Sequence, residues 1–89
     1  MPVVLVPTAY RGPTRGEGEV QVEADDVLHC LQAVEEKHPG FLPLVLDANG
    51  NVHRFVKLFI NGDPLDPSAL DMAVGAEDRV EVLAAIAGG

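Results

Sequence analysis

The 89 residues, 47% hydrophobic with a single cysteine, suffice for one core but hold no disulfide framework and no cluster with zinc-ligand spacing. Fourteen acidic against six basic residues give a formal charge of −8. That surplus repels phosphate backbones, argues against nucleic acid, and either steers a positively charged partner or serves only solubility.

Met1-Pro2-Val3-Val4-Leu5-Val6-Pro7 has no basic leader, and its apolar run is shorter than a signal peptide requires. No run approaches a membrane span, so a soluble cytoplasmic protein without a membrane partner is expected. Val3 to Pro7 reads as a first strand, with Val4 and Val6 on one face and Val3 and Leu5 on the other. Thr8 to Gly18, with Pro13 and three glycines, reads as a long loop whose Arg11 and Arg15 have no obvious partners. Glu19-Val20-Gln21-Val22-Glu23 alternates as a half-buried strand does, placing Val20 and Val22 inward.

After Ala24 the period lengthens: Val27, Cys30, Leu31 and Val34 form one helical stripe, capped by Asp25 or Asp26 and ended near His38 by Pro39 and Gly40. Cys30 within that stripe reads as a small buried hydrophobe, and His29, His38 and His53 as solvated side chains without ligand spacing. Phe41 to Leu46, broken by Pro43, is expected to be a 3₁₀ turn leading into an edge segment. The Asn49-Gly50 turn opens the longest strand, Val52 to Ile60, which ends at a second such pair, Asn61-Gly62. Beyond it come a short edge strand near Leu65, an irregular loop, and a final strand from Arg79 to Ala84.

Two strands, a helix and three further strands make an α+β protein: a mixed four- to five-stranded sheet packed on one main helix, the β-grasp arrangement. A single domain spanning 1–89 is expected, with 84–89 as a mobile tail. On the long strand Val56, Leu58 and Ile60 face the helix, which sends Phe55, Lys57 and Phe59 to the opposite side. Phe55, Phe59 and Leu83 then form a candidate docking patch framed by Arg54 and Arg79. A register shifted by one residue would instead place these residues in the core.

The ending Ala84-Ala85-Ile86-Ala87-Gly88-Gly89 has nothing with which to build a core. Glycines without Cβ enter a slot too narrow for a branched residue, so Ala87, Gly88 and Gly89 suit a tail that delivers the terminal carboxylate into a partner's active site; small terminal residues also simply fray. The chain contains no Ser-His-Asp or Cys-His pattern, no phosphate-binding glycine loop before a helix and no evident carboxylate pair in a cleft. No catalytic residue, cofactor or metal is therefore assigned.

Pro7-Thr8, His53-Arg54-Phe55-Val56, Asn61 and the closing Val80 to Gly89 resemble the bacterial MoaD/ThiS ubiquitin-like sulfur carriers, most closely those of the CysO type. The likeness spans nearly the whole chain and departs from the pattern at Arg11 to Gly18 and Asp63 to Ala73. It implies that Gly89 is adenylated with ATP by an enzyme of the MoeB/ThiF/MoeZ type. A thiocarboxylate then donates sulfur to a biosynthetic enzyme such as a CysO-dependent cysteine synthase. A metal-dependent JAMM peptidase is a further implied partner. The chain itself would be a substrate rather than an enzyme. A small subunit of molybdopterin synthase and a ubiquitin-like protein modifier are the alternative roles.

Overall fold

The computed structural model describes residues 1–84. Strands β1 (Val3–Leu5), β2 (Glu19–Gln21), β3 (Val56–Ile60), β4 (Asp63–Pro64) and β5 (Arg79–Ala84) form one sheet in the order β2-β1-β5-β3-β4. β1 and β5 run parallel at its centre, and the other neighbours pair antiparallel. Helix α1 (Val27–Lys37) contributes Val27, Cys30, Leu31 and Val34, all fully buried, to the same core as Val4, Val20, Val56, Leu58, Val80 and Val82 of the sheet. One apolar stripe at helical spacing and one apolar sheet face thus cover each other.

The helix begins where the sequence provides an acceptor. Asp26 Oδ1 accepts the His29 backbone N–H at 2.8 Å, satisfying one of the amides that the first turn leaves unbonded. It ends at His38, before Pro39 and a Gly40 whose φ of +106° suits a residue without Cβ. At the other end of the molecule Asn61 (φ +51°) and Gly62 (φ +87°) close a two-residue hairpin between Ile60 and Asp63, the positive-φ pair that the strand twist favours.

Phe41 to Leu46 differs from expectation. Leu42–Val45 is a short α-helix, α2, that tolerates Pro43 because it lies in the first turn, where its missing N–H costs nothing. Glu35 reaches across from α1 to accept the Leu42 N–H at 2.8 Å and the Gly40 N–H at 3.1 Å, and Phe41 and Val45 fill the end of the core.

The long strand is also shorter than its apolar pattern. Val52 makes only an isolated bridge to Leu46, and a turn closed by Val56 N–H on His53 O at 3.0 Å precedes β3. The edge strand lies at Asp63–Pro64, just before the buried Leu65.

The loop after β1 is tied down more than its composition indicates. Arg11, expected to be unpartnered, donates from Nε to Val6 O at 3.0 Å, and its guanidinium lies against Gly18, where a Cβ would come within 2.5 Å of Nη2. Thr14, wholly buried, donates its hydroxyl to Glu17 O at 2.9 Å. The histidines likewise have partners. Exposed His29 bonds Asp26 at 2.7 Å, His38 faces Glu17 at 3.2 Å, and His53 donates Nε2–H to Pro43 O at 2.9 Å.

Candidate functional site

Ala84, the last described residue, ends β5 opposite Val56 at the start of β3, so the chain leaves the described region at this exit from the sheet. Ala87, Gly88 and Gly89, expected to enter a partner, and the mobility expected of the tail lie outside the described residues. Ala84, assigned to that tail as well as to the last strand, belongs to β5.

The face of the sheet turned away from α1 surrounds this exit. Lys57 stands opposite Leu83, and Phe59 opposite Glu81, so strand alternation puts all four on one side while Val56, Leu58, Val80 and Val82 fill the other. β1 continues the surface, with Val3 opposite Arg79 and Leu5 opposite Glu81. Leu83 is 39% exposed, and Phe59 is half-buried beside Pro64, its partner on β4.

Phe55 is 43% exposed but belongs to the turn before β3, so its position follows from the turn, not from alternation. Arg54 stacks on it with Cζ 5.0 Å from the ring centroid, a contact that holds an aromatic and a cation together in water. Arg79 reaches Glu19 at 3.5 Å across the sheet. The five residues nominated for docking thus divide into an exit group (Arg54, Phe55, Leu83), a half-buried ring in the sheet (Phe59) and a paired cation at the beginning of β5 (Arg79).

Two contributors lie outside the five nominated residues. Lys57, exposed between Phe55 and Phe59 in sequence and opposite Leu83, belongs to the surface as much as its neighbours do. Asn61 does more than turn the chain. Its Nδ2 donates to Asp78 at 2.9 Å, its Oδ1 accepts the Arg79 N–H at 2.9 Å, and its own N–H bonds Arg79 O, clamping β3 to β5. Asp78 also accepts the Gly75 N–H at 2.7 Å; the Asn61 amide first and this backbone donor second hold its carboxyl below the usual range. Only the Asn-Gly pair was visible as a signal, since the clamp spans 17 positions in sequence.

The single cysteine, Cys30, is free and buried in the core. Burial first, and then Asp26 and Asp25, push the Cys30 thiol up to about 11, so it stays protonated at neutral pH. An apolar groove of about 720 Å³ between α1, α2 and the following loop includes Glu35, Asp47 and His53 in its lining. Each of these three residues bonds a backbone group of the chain through one side-chain atom, Glu35 Oε1, Asp47 Oδ1 and His53 Nε2. Among the described residues no three His, Cys, Asp or Glu side chains cluster to hold a metal, and no helix is long and apolar enough to cross a membrane.

Residues 4–89 match the model of the ThiS family. A chain of the BexX/CysO complex from Amycolatopsis orientalis is 29% identical with a TM-score of 0.86, each chain covered in full. CysO from Mycobacterium tuberculosis is 26% identical with a TM-score of 0.88, over 97% of this chain and all of that one. The small archaeal modifier protein SAMP1 from Haloferax volcanii, 20% identical over 99% of this chain and 98% of its own with a TM-score of 0.78, shares the fold. No curated protein matches the chain. A β-grasp domain with this topology, matched by one family model from the first strand to the terminal Gly-Gly, belongs to the ThiS family of ubiquitin-like sulfur carriers of the MoaD/ThiS type.

Proposed function

We propose that the carboxylate of Gly89 is the working group, adenylated by a partner enzyme and converted to a thiocarboxylate that supplies sulfur for cysteine or another sulfur-containing metabolite. The observation that carries this reading is a family match that continues through Gly88 and Gly89 instead of stopping at the end of the folded sheet. A carboxylate is resonance-stabilised and a poor electrophile, so sulfur enters only after activation. ATP supplies AMP to the Gly89 oxygen and pyrophosphate leaves. A persulfide sulfur attacks the acyl carbon and AMP departs. A second thiol then cleaves the resulting acyl disulfide, leaving the thiocarboxylate.

None of these steps uses a side chain of this protein. Its contribution is a sheet whose last strand ends at Ala84, with exposed Phe55 and Leu83 beside that exit available to hold a partner. The existence of a relative at 29% identity in a complex with BexX supports docking of this fold on a folded protein. The adenylating partner is expected to be of the MoeB/ThiF/MoeZ type.

Deleting Gly89 tests the reading. Pyrophosphate exchange by the host's adenylating enzyme should vanish while the unfolding curve stays unchanged. Exchange at the full rate with the truncated protein would place the reactive group elsewhere.

A further inference from the structure

Side-chain charge divides sharply over this molecule. Arg54, Lys57 and Arg79 with Glu19 and Glu81 mark the open face and its rim: three bases against two acids, net +1. The rest of the chain keeps three bases and twelve acids, net −9. Four of those acids lie at the end of the sheet remote from the exit, where the Asp25 carbonyl accepts the Val74 N–H, Asp63 begins β4, and Glu77 and Asp78 precede β5, whereas Glu35 and Asp47 line the groove that includes His53.

Arg54 and Lys57 are exposed, and neither forms an ion pair among the described residues. Arg15 is also exposed and without an ion pair, but only Arg54 and Lys57 stand beside the exposed Phe55 and Leu83, where a cation next to apolar area suits a partner that covers both.

Resting on the carrier reading above, we propose that the adenylating partner meets this face with an apolar patch rimmed by carboxylates, engaging Arg54 and Lys57. The molecule's overall charge of −8 points to a basic partner, but encounter is governed by the potential near the contact. Screening confines that potential to about 8 Å at physiological salt. The remote acids lie at the far end of β3 and β5 and then act only weakly on the encounter, which Arg54 and Lys57 govern.

The test is the association rate with the host's adenylating enzyme, measured at low and at physiological salt. R54E/K57E makes the carrier more negative and should slow association by about tenfold at low salt, with the gap narrowing as salt rises. The charge-preserving R54K/K57R should associate within about twofold of the parent. D63K/E77K, at the remote end, should be unchanged or faster. Both reversed residues at each end are exposed, and an unchanged unfolding curve establishes that each variant is folded. Faster or unaltered association of R54E/K57E would overturn the acidic-rim assignment alone, provided the parent protein is still activated. Failure of the parent to support pyrophosphate exchange would overturn the carrier reading and this inference with it.

Discussion

The two faces of the sheet are built from the same strands and obey opposite rules. Toward α1, β5 presents Val80 and Val82, and β3 presents Val56 and Leu58, branched aliphatics that share one buried core with Leu31, Cys30 and Val34. Away from α1 the intervening positions are Arg79, Glu81 and Leu83 on β5, and Lys57 and Phe59 on β3. The first face needs volume, and charge there would be costly to bury. The second mixes apolar area with charge, a combination that stays soluble alone yet is able to exclude water against a matching surface.

The largest effect on this contrast should come from the helix side. Leu31 is fully buried on the inner face of α1, so Leu31→Ala leaves a cavity and should cost about 2 to 5 kcal/mol. A loss under about 0.5 kcal/mol in chemical denaturation would mean that the covered face is not the core.

Phe59→Ala and Leu83→Ala sharpen the comparison from the other side. Half-buried beside Pro64, Phe59 should lose about 1 to 2 kcal/mol of stability, less than a core ring, whereas exposed Leu83 should lose at most about 0.5 kcal/mol. Leu83→Ala should nevertheless weaken binding to the adenylating enzyme by more than about 1 kcal/mol. Calorimetry on both variants separates the two quantities, and unchanged affinity of the folded Leu83 variant would move docking away from the exit.

The smallest effect concerns the helix start. The His29 backbone N–H, followed by the His29 side chain, holds the Asp26 carboxyl below its ordinary value of 3.8. A depressed folded-state value stabilises the protein above the unfolded-state value and is lost as pH falls through the folded-state value. Melting temperature followed from pH 5 downward should therefore fall less steeply in Asp26→Asn than in the parent. Parallel curves would remove Asp26 from the acid-sensitive groups.

Most of the architecture was legible because each element carries its own period. Val20 and Val22 alternate, Val27 to Val34 repeat every three or four residues, and Asn61-Gly62 marks its hairpin without help from distant residues. What stayed hidden depends on contacts between remote segments. Leu42–Val45 becomes a helix because Glu35 on the preceding helix caps it, and the apolar run from Val52 breaks because His53 turns toward Pro43.

The open face was readable as alternation, yet Phe55 owes its exposure to that same turn. Arg79, nominated to frame the patch with charge, is paired with Glu19 from a strand 60 positions away. Local charge was the least legible feature, since a sum of −8 conceals which side of the sheet holds the bases.

The central claim is that Gly89 carries sulfur, and the intact mass of the protein isolated from its own host tests it most directly. A fraction of molecules should be heavier by the exchange of one oxygen for sulfur. That increment should map to the C-terminal peptide and disappear on treatment with an alkylating reagent that traps thiocarboxylates as a new adduct. A carrier isolated from actively growing cells whose C-terminal peptide holds only the carboxylate, or whose added sulfur maps to Cys30, would contradict the account.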